Sequence, residues 1–273
     1  MKKGINVWSF KRGIKLEDCM TISKKAGFNG IELSLDEEGE INLKSKENEL
    51  VNLKTLAENI GIEISSLASG LYWKYSFTDP NPQIRKKALE IAVKQIEFAK
   101  LLGADTVLIV PGLVKEDVSY EEAFERALGI FAELKKYAEK LQIHIGLENV
   151  WNKFLLSPIE FRDFIDKVNS PFVGAYFDVG NVVYNGYPEQ WIKILGKKIK
   201  KVHFKDFRRS IGNINGFVDL LNGDVNFPAV VEALECVGYD DYVIAEMTPY
   251  NYHSDQVIYN TSQVMDRILG KMI

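Results

Sequence analysis

Glu148, Asp178, His203 and Glu246 each stand at or just past the carboxyl end of a short apolar run, in IGLENVW, AYFDVGN, KKVHFKD and VIAEMTP. Three carboxylates and one imidazole form a hard-to-borderline donor set that suits one divalent cation: Mn²⁺, Mg²⁺, Co²⁺ or Zn²⁺. Gathered without a cation, the carboxylates repel one another and bind protons more tightly, so convergence of the four implies a metal ion. Each has a plainer reading as well. Asp178 can cap a following helix, Glu148 and Glu246 can pair with basic residues on neighbouring loops, and His203 can be an ordinary satisfied polar residue. The metal reading requires one thing of the fold: the four runs must be parallel strands whose carboxyl ends open into the same mouth.

Weaker signals surround this set. Glu32, in GFNGIEL, reads either as facing the same mouth and hydrogen-bonding a ligand or as a structural carboxylate. Lys205, Arg208 and Arg209 follow His203 and read either as contacts to substrate hydroxyls or a phosphate or as solvated surface charges. Trp8 and Trp151 supply either an apolar wall for the face of a sugar or ordinary core packing. His144, in the amino-terminal half of its run, and His253, in a loop, are left out of the site.

The elements that must position these residues recur along the chain as an amphipathic helical stretch, a glycine or asparagine stop, and a short apolar run. Strands are predicted at Gly4–Trp8, Gly30–Ser34, Glu63–Ala68, Thr106–Val110, Ile143–Glu148, Gly174–Asp178, Lys201–His203 and Tyr242–Glu246. Helices are predicted near Leu16–Ala26, Lys46–Asn59, Gln83–Leu102, Tyr120–Leu141, Pro158–Val168, Pro188–Leu195, Pro228–Val237 and Ser254–Leu269. Gly27, Gly61, Gly103 and Gly238 follow four of the helices as left-handed caps would, and Ser157, Pro158 and Glu160 spell a capping box with proline at the first helical position. Strict β/α alternation implies a parallel sheet, and eight such units in 273 residues imply a closed (β/α)₈ TIM barrel, a single domain over residues 1–273. An open doubly wound sheet would carry a glycine-rich phosphate turn, and no GxGxxG occurs. Three connections on the catalytic face are long: Ser69–Pro82, Phe207–Asn226 and Thr248–His253. The first carries Tyr72, Trp73, Tyr75 and Phe77, which read either as a lid over a ligand or as a cluster packing the loop onto the barrel rim.

Composition narrows the function class. A net charge of -4, a pI near 5.6 and the lack of a basic stripe argue against a nucleic-acid partner. No apolar run approaches the length of a membrane span, and the start MKKGINVWSF has no apolar leader core, so a soluble cytoplasmic protein without a membrane partner is expected. Cys19 and Cys236 fall in helical stretches without CxxC spacing and read as structural thiols.

With those residues in place, the chain resembles the sugar phosphate isomerase/epimerase families built on a xylose-isomerase-like barrel, the ketose 3-epimerases in particular. The resemblance covers essentially the whole chain and is most specific in LENVWNKFLLSP, FDVGN, VHFKD, NGDVNFPAVVEALECVGYDDYVIAEM and GFNGIEL. It implies one divalent ion, commonly Mn²⁺, Co²⁺ or Mg²⁺, on Glu148, Asp178, His203 and Glu246, and a contact of Arg209 with substrate oxygens. It also implies a small sugar or sugar phosphate as partner and a homodimer or homotetramer. The implied reaction inverts C3 of a ketose or ketose phosphate through a cis-enediolate, with Glu148 and Glu246 as acid and base. Two positions depart from the free-ketose enzymes resembling tagatose or psicose 3-epimerase. Asn181 stands where they carry a substrate-binding histidine, and Leu155 follows Asn152, Lys153 and Phe154 where they carry a glutamate. FDVGN and HFKD look closer to the branch that includes L-ribulose-5-phosphate 3-epimerases. An aldose–ketose isomerase or an inosose dehydratase would use the same ligands, and a non-catalytic sugar-binding barrel stands behind both. The histidine-rich trinuclear zinc site of apurinic endonucleases, which share the barrel, does not match three histidines and an acidic chain.

Overall fold

Apolar runs that end in charge form the wall of a closed parallel barrel, because each is long enough for one strand and is followed by a helix that returns the chain. A computed structural model describes residues 1–270. Its barrel strands are β1 (Lys2–Asn6), β2 (Gly30–Ser34), β3 (Glu63–Ala68), β4 (Thr106–Ile109), β5 (His144–Glu148), β6 (Val173–Asp178), β7 (Ile199–Phe204) and β10 (Tyr242–Ala245); β8 (Asp206–Phe207) and β9 (Phe217–Val218) form a separate antiparallel ribbon between the last two. The circle runs β1-β10-β7-β6-β5-β4-β3-β2. Around it lie α1 (Leu16–Ala26), α2 (Glu47–Ile60), α3 (Pro82–Leu102), α4 (Tyr120–Leu141), α5 (Pro158–Val168), α6 (Val179–Val183), α7 (Pro188–Leu195), α8 (Phe227–Cys236) and α9 (Gln256–Ile268). None of the described helices is long and apolar enough to cross a membrane.

Register places the candidate ligands. Asp178 on β6 pairs with His203 on β7, and Ile244 on β10 pairs with His203 from the other side. Because side chains alternate between faces, every second residue of a barrel strand points into the interior. That rule carries Tyr176 and Asp178 inward together, Lys201 with His203, and Tyr242 and Ile244 below Glu246. The middle of the barrel is filled by Ala68, Leu108, Tyr176, Tyr242 and Ile244, with Trp8 against them. At the amino-terminal end, the buried Lys201 ammonium sits 2.5 Å from Asp241 Oδ2 and 3.0 Å from Asp105 Oδ1. The larger apolar core lies between the strands and the helical ring.

Local deviations from the sequence reading have local causes. β1 ends at Asn6, whose side chain accepts the Trp8 N–H at 2.6 Å and opens a 3₁₀ turn, so Trp8 leaves the strand and turns to the mouth. The helix α6 is too short to show a periodicity, and β8–β9 lies inside what reads as one long loop. Ser157 accepts the Glu160 N–H, but the Glu160 carboxylate takes the N–H of Leu156 at 2.9 Å instead of closing the capping box on Ser157. Gly27, Gly61 and Gly103 are left-handed helix caps as expected, whereas α8 ends at Val237 with left-handed Gly238 one residue beyond. Cys19 is buried, Cys236 is exposed, and both are free thiols.

Space for the interior tyrosines comes from facing glycines. A Cβ on Gly30 would lie 2.7 Å from a ring carbon of Tyr242, whose hydroxyl donates to Glu63 Oε2 at 2.8 Å. Gly30→Ala is expected to lower stability by about 1–3 kcal/mol through overpacking, measured by urea denaturation. Combined with Tyr242→Leu, it should lose less than the sum of the single changes, since the two share one volume. Strict additivity would show that the ring is not the obstacle.

Candidate metal centre and active-site cavity

One ligand atom from each of Glu148, Asp178, His203 and Glu246 lies within 4.8 Å of the others. From His203 Nδ1 the distances are 3.3 Å to Glu246 Oε2, 3.7 Å to Glu148 Oε1 and 3.8 Å to Asp178 Oδ2. Three of these atoms, Asp178 Oδ2, His203 Nδ1 and Glu246 Oε2, are buried without a hydrogen-bond partner. Buried polar atoms are normally satisfied, so several orphans aimed at one point fit a site whose missing partner is a cation. Lys205 reaches the cluster as a charge: its Nζ lies 3.1 Å from Asp178 Oδ2 and 2.9 Å from Glu246 Oε1.

The plainer reading of Asp178 also holds. Its Oδ1 caps α6 by accepting the Asn181 N–H at 2.8 Å, which leaves Oδ2 for the cluster. Asn149, beside Glu148, ties the two strand ends together: its Oδ1 accepts the Asp178 N–H and its Nδ2 donates to the Asp178 carbonyl, each at 2.8 Å.

Glu32, in the middle of β2, does not line the mouth and takes the structural one of its two readings. Its carboxylate is fully buried beneath His203 and accepts from four donors. Oε1 meets Asn6 Nδ2 at 2.5 Å and His203 Nε2 at 2.6 Å; Oε2 meets Ser66 Oγ at 2.8 Å and the Tyr176 hydroxyl at 2.5 Å. A ring nitrogen that donates to a carboxylate fixes the tautomer and turns the other nitrogen outward. Here that leaves Nδ1 for the cluster. Burial works against charge on both groups, but the charge of His203 and its hydrogen bond, with those from Tyr176 and Asn6, hold the Glu32 carboxyl below the usual range. Burial is likewise outweighed at His203, where the charge of Glu32 leads in raising the imidazole well above its ordinary pKa. Glu148 moves the opposite way: burial pushes its carboxyl up and the Asp178 charge adds to the push, against His203 and Lys205. The whole set behaves as a negative field that attracts protons and cations alike.

Above the cluster opens a cavity of about 530 Å³, within the range of small-molecule sites. Glu148 and Glu246 line it, while Asp178 and His203 lie below and do not. Trp8, Trp151, Asn181 and Lys205 line it as well, so those candidates meet at the mouth. Asn181 is nevertheless occupied, donating from Nδ2 to the Asn149 carbonyl at 3.0 Å. Arg209 departs from expectation: its guanidinium lies outside the cavity, 5.6 Å from the centre of the Tyr187 ring. Arg208 also turns away, donating from Nη2 to Asn222. The first long loop divides between its two readings. Tyr72 stacks on buried Phe77 at 5.0 Å and packs the loop onto the barrel, while half-exposed Trp73 reaches the cavity. The sequence reading missed Asn6, Ser66, Asn149 and Tyr176. Only Tyr176 carried a signal, two residues before Asp178 on the same inward face.

The family model described as xylose isomerase-like TIM barrel matches residues 20–268. Among curated proteins, the chain is 27% identical over 212 residues to putative L-ribulose-5-phosphate 3-epimerase SgbU of Haemophilus influenzae, covering 75% of this chain and 73% of that protein. Among solved structures, a D-tagatose 3-epimerase-like protein superposes with a TM-score of 0.84 at 22% identity, covering 99% of this chain and 97% of that one. The IolI protein, described with a binding zinc atom, superposes with a TM-score of 0.83 at 20% identity, covering 100% of this chain and 99% of that one.

Glu32→Gln keeps volume but removes the charge behind the imidazole. It is expected to weaken Mn²⁺ binding by about 10- to 100-fold, measured by calorimetric titration of the metal-free protein. Tyr176→Phe, which leaves the His203 contact in place, should weaken it less. Equal losses, or unchanged affinity in Glu32→Gln, would remove Glu32 from the metal site.

Proposed function

The chain belongs to the xylose isomerase-like TIM barrel family, and from that premise we propose that it is a divalent-metal-dependent isomerase that inverts C3 of a ketose or ketose phosphate, its site carried by one barrel domain over residues 1–273. One observation carries the reading: four donor atoms converge within 4.8 Å, and of the four side chains the two glutamates alone open into the cavity. The names of the relatives, L-ribulose-5-phosphate and D-tagatose 3-epimerases, support the same reaction class.

Glu148, Asp178, His203 and Glu246 would hold the ion, with Mn²⁺, Co²⁺ or Mg²⁺ suiting the oxygen-rich set and Zn²⁺ also accommodated. When bound, a divalent ion supplies Lewis-acid polarisation of the ketone and stabilises negative charge developing on oxygen. Epimerisation beside a ketone removes a proton from carbon and returns one to the opposite face, so two separately placed acid–base groups are required. Glu148 and Glu246 take those roles, exchanging them when the reaction runs in reverse. Asp178 and His203, buried and braced by Asn149 and Glu32, keep the ligand geometry fixed while the glutamates exchange protons. Lys205 balances the charge of Glu246 and Asp178 from the cavity side. Trp8 and Trp151 bound the space above and exclude water from the carbanionic centre.

Proton NMR in D₂O, with Mg²⁺-loaded and then Mn²⁺- or Co²⁺-loaded protein and a panel of ketoses and ketose phosphates, is expected to show wash-out of the C3 proton. Wash-out at C1 would mean an aldose–ketose isomerase instead, and no exchange would direct attention to dehydration or to binding alone. Glu246→Gln should reduce turnover by about 100- to 10,000-fold while retaining the fold and much of the metal affinity. Near-normal activity would exclude Glu246 from the chemistry.

A further inference from the structure

Within the reading just proposed, on which this inference rests, the geometry points to an unphosphorylated ketose as the substrate class. The cavity above Glu148 and Glu246, about 530 Å³ in volume, has room for the remaining carbons of a sugar whose reacting carbons lie over the two carboxylates. The walls there include the rings of Trp8, Trp73, Trp151 and Phe217, with the carboxylate-bearing Asp206 and Asp219 beside them. Aromatic rings with a few polar groups suit the C–H faces and hydroxyls of a neutral sugar. A phosphate dianion requires cations or a nest of free backbone N–H groups.

The cations are engaged elsewhere. Lys205 is the one cation among the described residues that line the cavity, and it lies against Glu246 and Asp178 at 2.9 and 3.1 Å. Arg208 donates to the Asn222 carbonyl and Oδ1 at 2.7 and 2.8 Å, and Arg209 lies over Tyr187. Backbone donors of the loop after β7 are engaged too. Barrels often bind phosphate with the loops after their seventh and eighth strands, but in this chain an internal anion holds the first of those places. Asp206 Oδ1 accepts the N–H groups of Phe207 at 2.9 Å and Val225 at 3.1 Å, and its Oδ2 accepts that of Gly223 at 2.8 Å. At the start of α8, the Asn226 side chain accepts the Ala229 N–H. A phosphate entering this space would meet the charges of Asp206, Asp219 and the two glutamates, with the donors of the loop after β7 already taken.

The test is kcat/KM for C3 proton wash-out in D₂O by the Mn²⁺-loaded full chain, using D-ribulose, L-ribulose, D-fructose and D-tagatose, each beside its terminal phosphate ester. The best free sugar is expected to exceed its ester by about 100-fold or more, as like-charge juxtaposition in a partly buried site dictates. An ester that matches or exceeds its free sugar would overturn the inference and leave the epimerase reading standing. Exchange with neither class would overturn the epimerase reading and this inference with it.

Discussion

Crowding of negative charge at one end of the barrel is the constraint to which the surrounding structure answers. Glu148, Asp178 and Glu246 bring three carboxylates around one imidazole nitrogen, and Glu32 adds a fourth, fully buried, behind the ring. Left alone in a low-dielectric interior, such a group would take up protons or unfold. The fold supplies partial answers: the α6 N–H group for one Asp178 oxygen, four donors for Glu32, and the Lys205 ammonium facing two of the carboxylates. What remains unanswered is a set of lone pairs directed at one point, an arrangement that a divalent ion would satisfy.

The same constraint separates the roles of chemically similar side chains. Asp178 is short and sits in register with His203, so it stays below the cavity floor and can bind but not reach a sugar carbon. Glu148 and Glu246 are one methylene longer and stand at the ends of β5 and just past β10, where their carboxylates face the cluster and the cavity together. Bracing keeps this difference useful. The paired hydrogen bonds of Asn149 to the Asp178 backbone lock adjacent strand ends, and the Glu32 contact prevents the His203 ring from turning. Positional rigidity below the floor leaves Glu148 and Glu246 as the two carboxylates of the cluster that open into the cavity.

How much of this was legible in the sequence depends on the range of the interaction. Strands and helices were readable because hydrophobic periodicity is local: β2, β3, α1, α4, α5 and α7 have the expected bounds. The convergence of Glu148, Asp178, His203 and Glu246 was readable because polar residues ending apolar runs share one end of any parallel barrel. Depth was not. Glu32 also interrupts an apolar run, but it lies in the middle of β2, where a register shift between Ile31 and Glu32 in the β2–β3 pairing accompanies its burial under His203. Arg209 has the spacing of a substrate contact, but the β8–β9 ribbon pairs Arg208 N–H with the Gly216 carbonyl and carries the following side chain outward to Tyr187. Those outcomes depend on long-range pairing, for which spacing along the chain holds no record.

That ribbon also shows why a shared barrel does not carry a shared substrate. The barrel fixes where four strand ends meet, and so fixes the metal ligands; the loop after β7 is free to vary without disturbing them. In this chain the loop folds back through Asp206, which satisfies three backbone N–H groups that would otherwise form an anion-binding concavity. One carboxylate therefore stabilises a long connection and sets the charge that the cavity presents to a ligand. Stability and specificity are coupled there: the interactions that hold the ribbon against the mouth are the ones that occupy the donors a phosphate would need. A relative with a differently paired loop can keep the same ligands and the same proton transfers while accepting a differently charged sugar.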